Sequence, residues 1–206
     1  MLLVKRFAAT ATVLFACGAT VSGCGGSDTP SDSGAGSNNP ACGHCEEPNP
    51  DTDLSAPEVS FAATVFPILR ASCTAAECHG TSPGTDPKLV YPALDLYLGP
   101  PPSDTTTPLD APLYARLVSG LKKVSRSADD RALVFPGAPQ KSFLVDKIYA
   151  CQDERRLSCD VEFEGMRHCP EASCGDPMPP RDQPGQLSTE QKDAIRRWIA
   201  QGAQDN

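Results

Sequence analysis

Ser72-Cys73-Thr74-Ala75-Ala76-Glu77-Cys78-His79-Gly80 is the stretch on which the reading of the whole chain turns. Two cysteines with a histidine directly after the second form the pattern of covalent haem attachment. In that chemistry each thiol adds to one haem vinyl group as a thioether, and the imidazole is held beneath the iron as its proximal ligand. Cys73, Cys78 and His79 are therefore the candidate cofactor residues. The usual spacing is C-x-x-C-H, whereas four residues separate Cys73 from Cys78. A loop of that length spans two vinyls by bulging outward. The competing reading is a small disulfide loop followed by a chance histidine.

Composition narrows the setting. Ten cysteines in 206 residues are too many for a reduced cytosolic protein without metal clusters, and they point to an oxidising compartment. The formal charge of −8 and the lack of a basic stripe argue against nucleic acid as a partner. Aromatic residues make up 6% of the chain and prolines number 21, so the core is thin and the loops are long. A bound haem would supply the large apolar body that the side chains lack.

Residues 1–23 read as a signal peptide, with Lys5 and Arg6 before a short apolar run from Phe7 to Phe15. The run is too short for a membrane-spanning helix. Val21-Ser22-Gly23-Cys24 follows and looks like a bacterial lipobox, which makes Cys24 the expected lipidation site and a lipid anchor the expected membrane contact. Cys17 is a poorer candidate because Phe15 stands where a small residue is expected. Residues 24–57 are rich in Gly, Ser, Asp, Asn and Pro without hydrophobic period, the composition of a disordered tether. Within it, Cys42-Gly43-His44-Cys45 carries the letters of a disulfide-isomerase site. It lacks the flanking strand and helix that activate such a thiol, so it reads as a local disulfide or one that pins the tether to the head.

The folded head spans residues 58–206. Phe61, Val65, Ile68 and Leu69 recur at helical spacing behind a possible cap at Ser60, and Pro67 kinks or restarts that helix. Leu94 to Leu98 alternates like a short extended piece. Asp110 and Pro112 start a helix with Leu113, Leu117 and Leu121 inward, and a further short helix follows Pro139 with Leu144, Val145 and Ile148 inward. Cys151, Cys159, Cys169 and Cys174 form an irregular insert that reads as two disulfides, with a zinc site including His168 as the rival. Met178 then stands among Pro177, Pro179 and Pro180. A thioether whose direction is preset in this way suits a low-spin iron as distal ligand, while the plain alternative is a gap-filling methionine. Ser188 and Gln191 form a capping box for the last helix, Ile195, Trp198 and Ile199 its apolar face, and Gly202 its stop.

With these blocks in order, residues 58–203 resemble a bacterial cytochrome c domain of the single-haem kind carried by exported lipoproteins. The resemblance rests on Val65-Phe66-Pro67-Ile68-Leu69 before Cys73, and on Cys78-His79-Gly80. Phe135-Pro136-Gly137 before Ser142-Phe143-Leu144, Met178-Pro179-Pro180, and Leu187-Ser188 with Trp198-Ile199 complete it. It implies a mostly α, cytochrome c-like small helical domain with long loops, a disulfide-rich insert, and first and last helices crossing beside the haem edge. It also implies haem c bound through Cys73 and Cys78, with iron between His79 and Met178. The four-residue attachment spacing and the insert before Met178 depart from the family pattern.

The functional expectation is a membrane-tethered, single-haem electron carrier, not an enzyme, exchanging electrons with donor and acceptor proteins. It would be exported and lipid-anchored at the periplasmic or cell-surface side of a membrane. His168 or Met166 are the alternative distal ligands. The alternative function, from another class, is a haem-free, disulfide-stapled lipoprotein serving as a surface interaction or assembly module.

Overall fold

Ser60 begins the first helical segment. Its hydroxyl accepts a hydrogen bond from the Ala63 amide at 3.1 Å, satisfying one of the donors that a helix start leaves open. In this computed structural model, residues 44–75, 78–80, 96–125, 128, 131–152, 155, 157 and 174–206 are described. The segment opens as a π-helical turn, Phe61–Val65, and continues as α1, Phe66–Cys73. Pro67 accounts for the change of winding. Lacking an N–H, it cannot donate to Ala63, so it sits in the first turn of a fresh α-helix, where that donor is not needed.

Three more helices follow. Asp110 caps α2, Ala111–Leu121, by accepting from the Leu113 amide at 3.0 Å. A 3-10 turn at Pro139–Lys141 leads into α3, Phe143–Ile148. The final helix, α4, spans Thr189–Ala200, and its start carries the reciprocal Ser188–Gln191 capping box. Gly202, at φ +100°, turns the chain out of α4. Among the described residues the only extended pairing is an isolated bridge between Val124 and Ala132. The head is thus helical with long loops, as expected.

The first and last helices close the core on each other. Phe61 and Trp198 lie with ring centroids 5.2 Å apart, and Phe66 and Tyr114 extend the aromatic cluster to α2 at 5.1 Å. Leu69, Leu117, Leu121, Ile195 and Ile199 fill in around them and are fully buried. Polar bonds fasten the same seam. Asn206 accepts from the Phe61 amide through its side chain at 3.0 Å and from the Ala62 amide through its main-chain oxygen at 3.0 Å. The indole of Trp198 donates to the Gln204 carbonyl at 2.8 Å.

α3 departs from a one-sided helix. Leu144, Val145 and Ile148 are buried as expected, but so are Phe143, Asp146 and Lys147. The helix is covered on its polar side by other chain segments. Asp146 pairs with Arg131 at 3.2 Å and with Arg155 at 2.9 Å, while the Lys147 ammonium donates to the Cys174 carbonyl at 3.0 Å.

The described end of the expected tether, residues 44–57, is laid along α4. A disulfide joins Cys45 to Cys151, so Cys45 pins this segment to the head. That pairing also overturns the expectation that the four cysteines of the insert pair among themselves. Glu46 forms ion pairs with Lys192 and with Arg181, and its amide donates to the Tyr149 carbonyl at 2.9 Å. Arg196 donates to the Asn49 carbonyl, Arg197 to that of Asp53, and Gln201 to that of Pro57. A polar, Pro-rich sequence with no period cannot reveal this docking, because the partners are cationic side chains about 140 residues away. The expected lipidation site Cys24, along with Cys17, Cys42, Cys159, Met166, His168 and Cys169, lies outside the described residues. Among those described, no helix is long and apolar enough to cross a membrane.

Two outcomes test this strap. Replacing both Cys45 and Cys151 by Ser should lower the unfolding free energy by about 2–4 kcal/mol in denaturant titrations, because the bridge closes a long loop. The second outcome concerns pH. Burial pushes the Glu46 carboxyl up, but Lys192 and Arg181 outweigh it and hold the group below its ordinary 4.5. A depressed carboxyl stabilises fully above its unfolded value and loses that contribution as pH falls through the folded one. Wild-type protein should therefore lose more stability than Glu46→Gln between about pH 5 and about pH 3.

Candidate haem-attachment site

α1 ends by delivering Cys73 into a tight turn. The next residue, Thr74, is completely buried and its hydroxyl donates to the Arg70 carbonyl at 2.7 Å. Arg70 in turn donates to the carbonyls of Pro100 and Pro101 at 3.1 Å and of Asp104 at 2.8 Å, binding the proline loop to the end of α1. The turn then folds back. The Cys78 amide donates to the Ala75 carbonyl at 2.9 Å, and the His79 amide to the Cys73 carbonyl at 3.1 Å. Gly80 follows for a steric reason: a Cβ on it would stand 2.2 Å from the Thr74 oxygen. Cys73 and His79 are thereby locked together across the turn.

The histidine is held at both its backbone and its ring. Its carbonyl accepts from the Leu98 amide at 3.0 Å, and its Nδ1 lies 2.9 Å from the Leu96 carbonyl. A carbonyl only accepts, so Nδ1 carries the proton and Nε2 keeps its lone pair. Burial lowers the tendency of the ring to protonate and outweighs the Leu96 bond, which acts the other way, while the Lys147 ammonium adds a smaller push in the same direction as burial. His79 is thus a buried, neutral imidazole whose second nitrogen is oriented by a backbone carbonyl. That is the arrangement metal-ligating histidines use.

The two cysteines differ. Cys73 is a free, buried thiol, and burial pushes it up to about 12, so it stays protonated and inert to electrophiles in the folded protein. Cys78 is half-buried and takes part in a disulfide. Thioether attachment consumes both sulfurs. His79 has a ligand nitrogen to offer as it stands, whereas Cys73, reduced but inert in the folded protein, would have to react before the chain folds, and Cys78 only once its disulfide is open.

Met178 lies on the segment after Cys174, itself disulfide-bonded. The methionine is half-buried between buried prolines 177 and 179, and its amide donates to the Lys147 carbonyl at 3.0 Å. Lys147 is the element common to both candidate ligands: its carbonyl takes the Met178 amide, and its ammonium bears on His79. The loop beyond Met178 returns to the attachment turn, where a Cβ on Gly185 would touch the Cα of Ser72 at 3.5 Å.

Several residues of this site were not singled out in the sequence. Arg70 and Thr74 act through backbone carbonyls, which no side-chain pattern reports. Lys147 offered a signal: it is a charge inside the apolar run Phe143-Leu144-Val145-Asp146-Lys147-Ile148. Another sulfur cluster lies at the strap, where the ligand atoms of Cys45, Cys151 and Glu47 fall within 4.8 Å of one another, the two sulfurs being joined in the disulfide. No protein-family model matches the chain, and neither a curated protein nor a solved structure does.

Gly80→Ala should cost about 1–3 kcal/mol in stability, since its methyl collides with fixed backbone rather than with a movable side chain. A melting curve unchanged by that substitution would remove the steric basis of the turn. In haem-free protein, iodoacetamide should modify Cys73 only after denaturant is added, as read by peptide mass.

Proposed function

We propose that the chain is a membrane-tethered c-type cytochrome that carries electrons through one covalently bound haem. The observation that carries this reading is His79: a buried, neutral imidazole, fixed through Nδ1 to the Leu96 carbonyl and bonded through its amide to the backbone of Cys73. The helical architecture, with first and last helices crossing at Phe61 and Trp198, is consistent with the cytochrome c resemblance of residues 58–203.

In this reading Cys73 and Cys78 would hold the haem as thioethers and His79 and Met178 would be the iron ligands, Cys78 first being released from its disulfide by an external dithiol that gives up two electrons and is itself oxidised to a disulfide. When bound, the haem supplies one-electron chemistry at iron. The chain supplies the rest. His79 presents Nε2 in a fixed direction, the Met178 segment brings a soft sulfur, and the buried surroundings exclude water from the iron. A neutral thioether and a low-dielectric shell both favour the less charged ferrous state and so raise the reduction potential. The electron partners are separate donor and acceptor proteins, and the membrane is reached through lipid on Cys24.

A second reading has its own observation. The disulfides of Cys78 and of Cys45 with Cys151 describe a stapled head that needs no cofactor, an exported module for surface interaction or assembly. One preparation separates the two. Protein matured in a host with cytochrome c assembly machinery should stain for haem after denaturation, and its Cys73–Cys78 peptide should carry the haem mass. A colourless product whose Cys73 becomes alkylatable in denaturant decides for the stapled module.

The distal ligand has a separate outcome. Met178→Ala should abolish the weak near-infrared band of methionine-ligated ferric haem and lower the reduction potential. An unchanged spectrum would transfer the role to His168 or Met166.

A further inference from the structure

The segment carrying Met178 is tied to α3 and the residues just after it by three hydrogen bonds within five positions. The Lys147 ammonium donates to the Cys174 carbonyl at 3.0 Å, the Gln152 amide nitrogen to the Gly175 carbonyl at 3.1 Å, and the Met178 amide to the Lys147 carbonyl at 3.0 Å. Both donating side chains are buried, Lys147 at 8% exposure and Gln152 at 1%. Burying an ammonium and a primary amide is costly, and neutral apolar residues would fill the same space without that cost.

Gln152 shows what the burial achieves. Its Oε1 is buried with no hydrogen-bond partner, so the bond from its other end to Gly175 fixes the amide. A side chain kept for packing alone would not leave an acceptor stranded. Gly175 lies at φ +75°, the bend at which the chain turns from the Cys174 disulfide toward Met178. The bonds made by Lys147 and Gln152 fall on the two carbonyls that flank this bend. The loop's far side is stopped by the contact of Gly185 with Ser72.

We propose that Lys147 and Gln152 are positioning residues that clamp the Cys174–Met178 bend and so fix the approach of the Met178 sulfur to the haem iron. This rests on the cytochrome reading with Met178 as distal ligand.

The test uses the full chain, haem-loaded, with Lys147→Met and Gln152→Leu. Gln152→Leu removes one clamp bond together with the stranded oxygen, so it should stay folded even where Lys147→Met does not. Each variant should weaken or abolish the near-infrared methionine band. Hydrogen exchange gives a readout independent of haem. The Met178 amide, bonded to the Lys147 carbonyl, should exchange at least tenfold faster in either variant, with the amides of α4 unchanged.

An unaltered band and unaltered exchange in folded Gln152→Leu would overturn the proposal. So would a haem-loaded wild type that lacks the methionine band. Should the wild type hold no haem, the cytochrome reading fails and the proposal fails with it, whereas faster exchange would still show that the two side chains restrain the bend.

Discussion

The contact of Phe61 with Trp198 is the constraint from which the rest of the head follows. It joins the beginning of the folded chain to its end, in a protein with few aromatic residues to spend. Once these rings meet, Phe66 and Tyr114 are drawn into the same cluster and α2 is placed. The direction of α1 is then fixed, and with it the point at which Cys73 leaves the helix. A local core of this size leaves the loops to be organised by other means. Arg70 does so for the proline loop, and Lys147 with Gln152 for the segment before Met178.

The site is built mainly by backbone carbonyls. Those of Cys73, Ala75, Leu96, Cys174 and Gly175 each accept a bond that holds a functional or supporting group. Such bonding is tolerant of side-chain identity and intolerant of backbone displacement. Gly80 marks the tightest point of the turn. The resulting imidazole is neutral and directed, a state that serves coordination better than proton transfer.

How much of this was legible depended on the kind of signal. Helix starts were readable because a cap is local: Ser60, Asp110 and Ser188 each bond an amide three residues ahead. The apolar faces of α2 and α4 were readable from their period. The polar face of α3 was not, because its burial comes from Arg131, Arg155 and Cys174, which lie outside the helix. The strap was hidden for the same reason, its partners being on α4. The adjacency of the two cysteines and the histidine could be read directly. Which sulfur is free and which is paired could not, since a pairing depends on where distant chain comes to rest.

The strap also sets where a pull on the chain upstream of Cys45 would enter the head. Such a pull would fall not on the first helix but on Cys45, where a covalent bridge passes the load to Cys151 and the ion pairs of Glu46 share it with α4. Drawing the helices apart from that side would first mean parting a covalent bond.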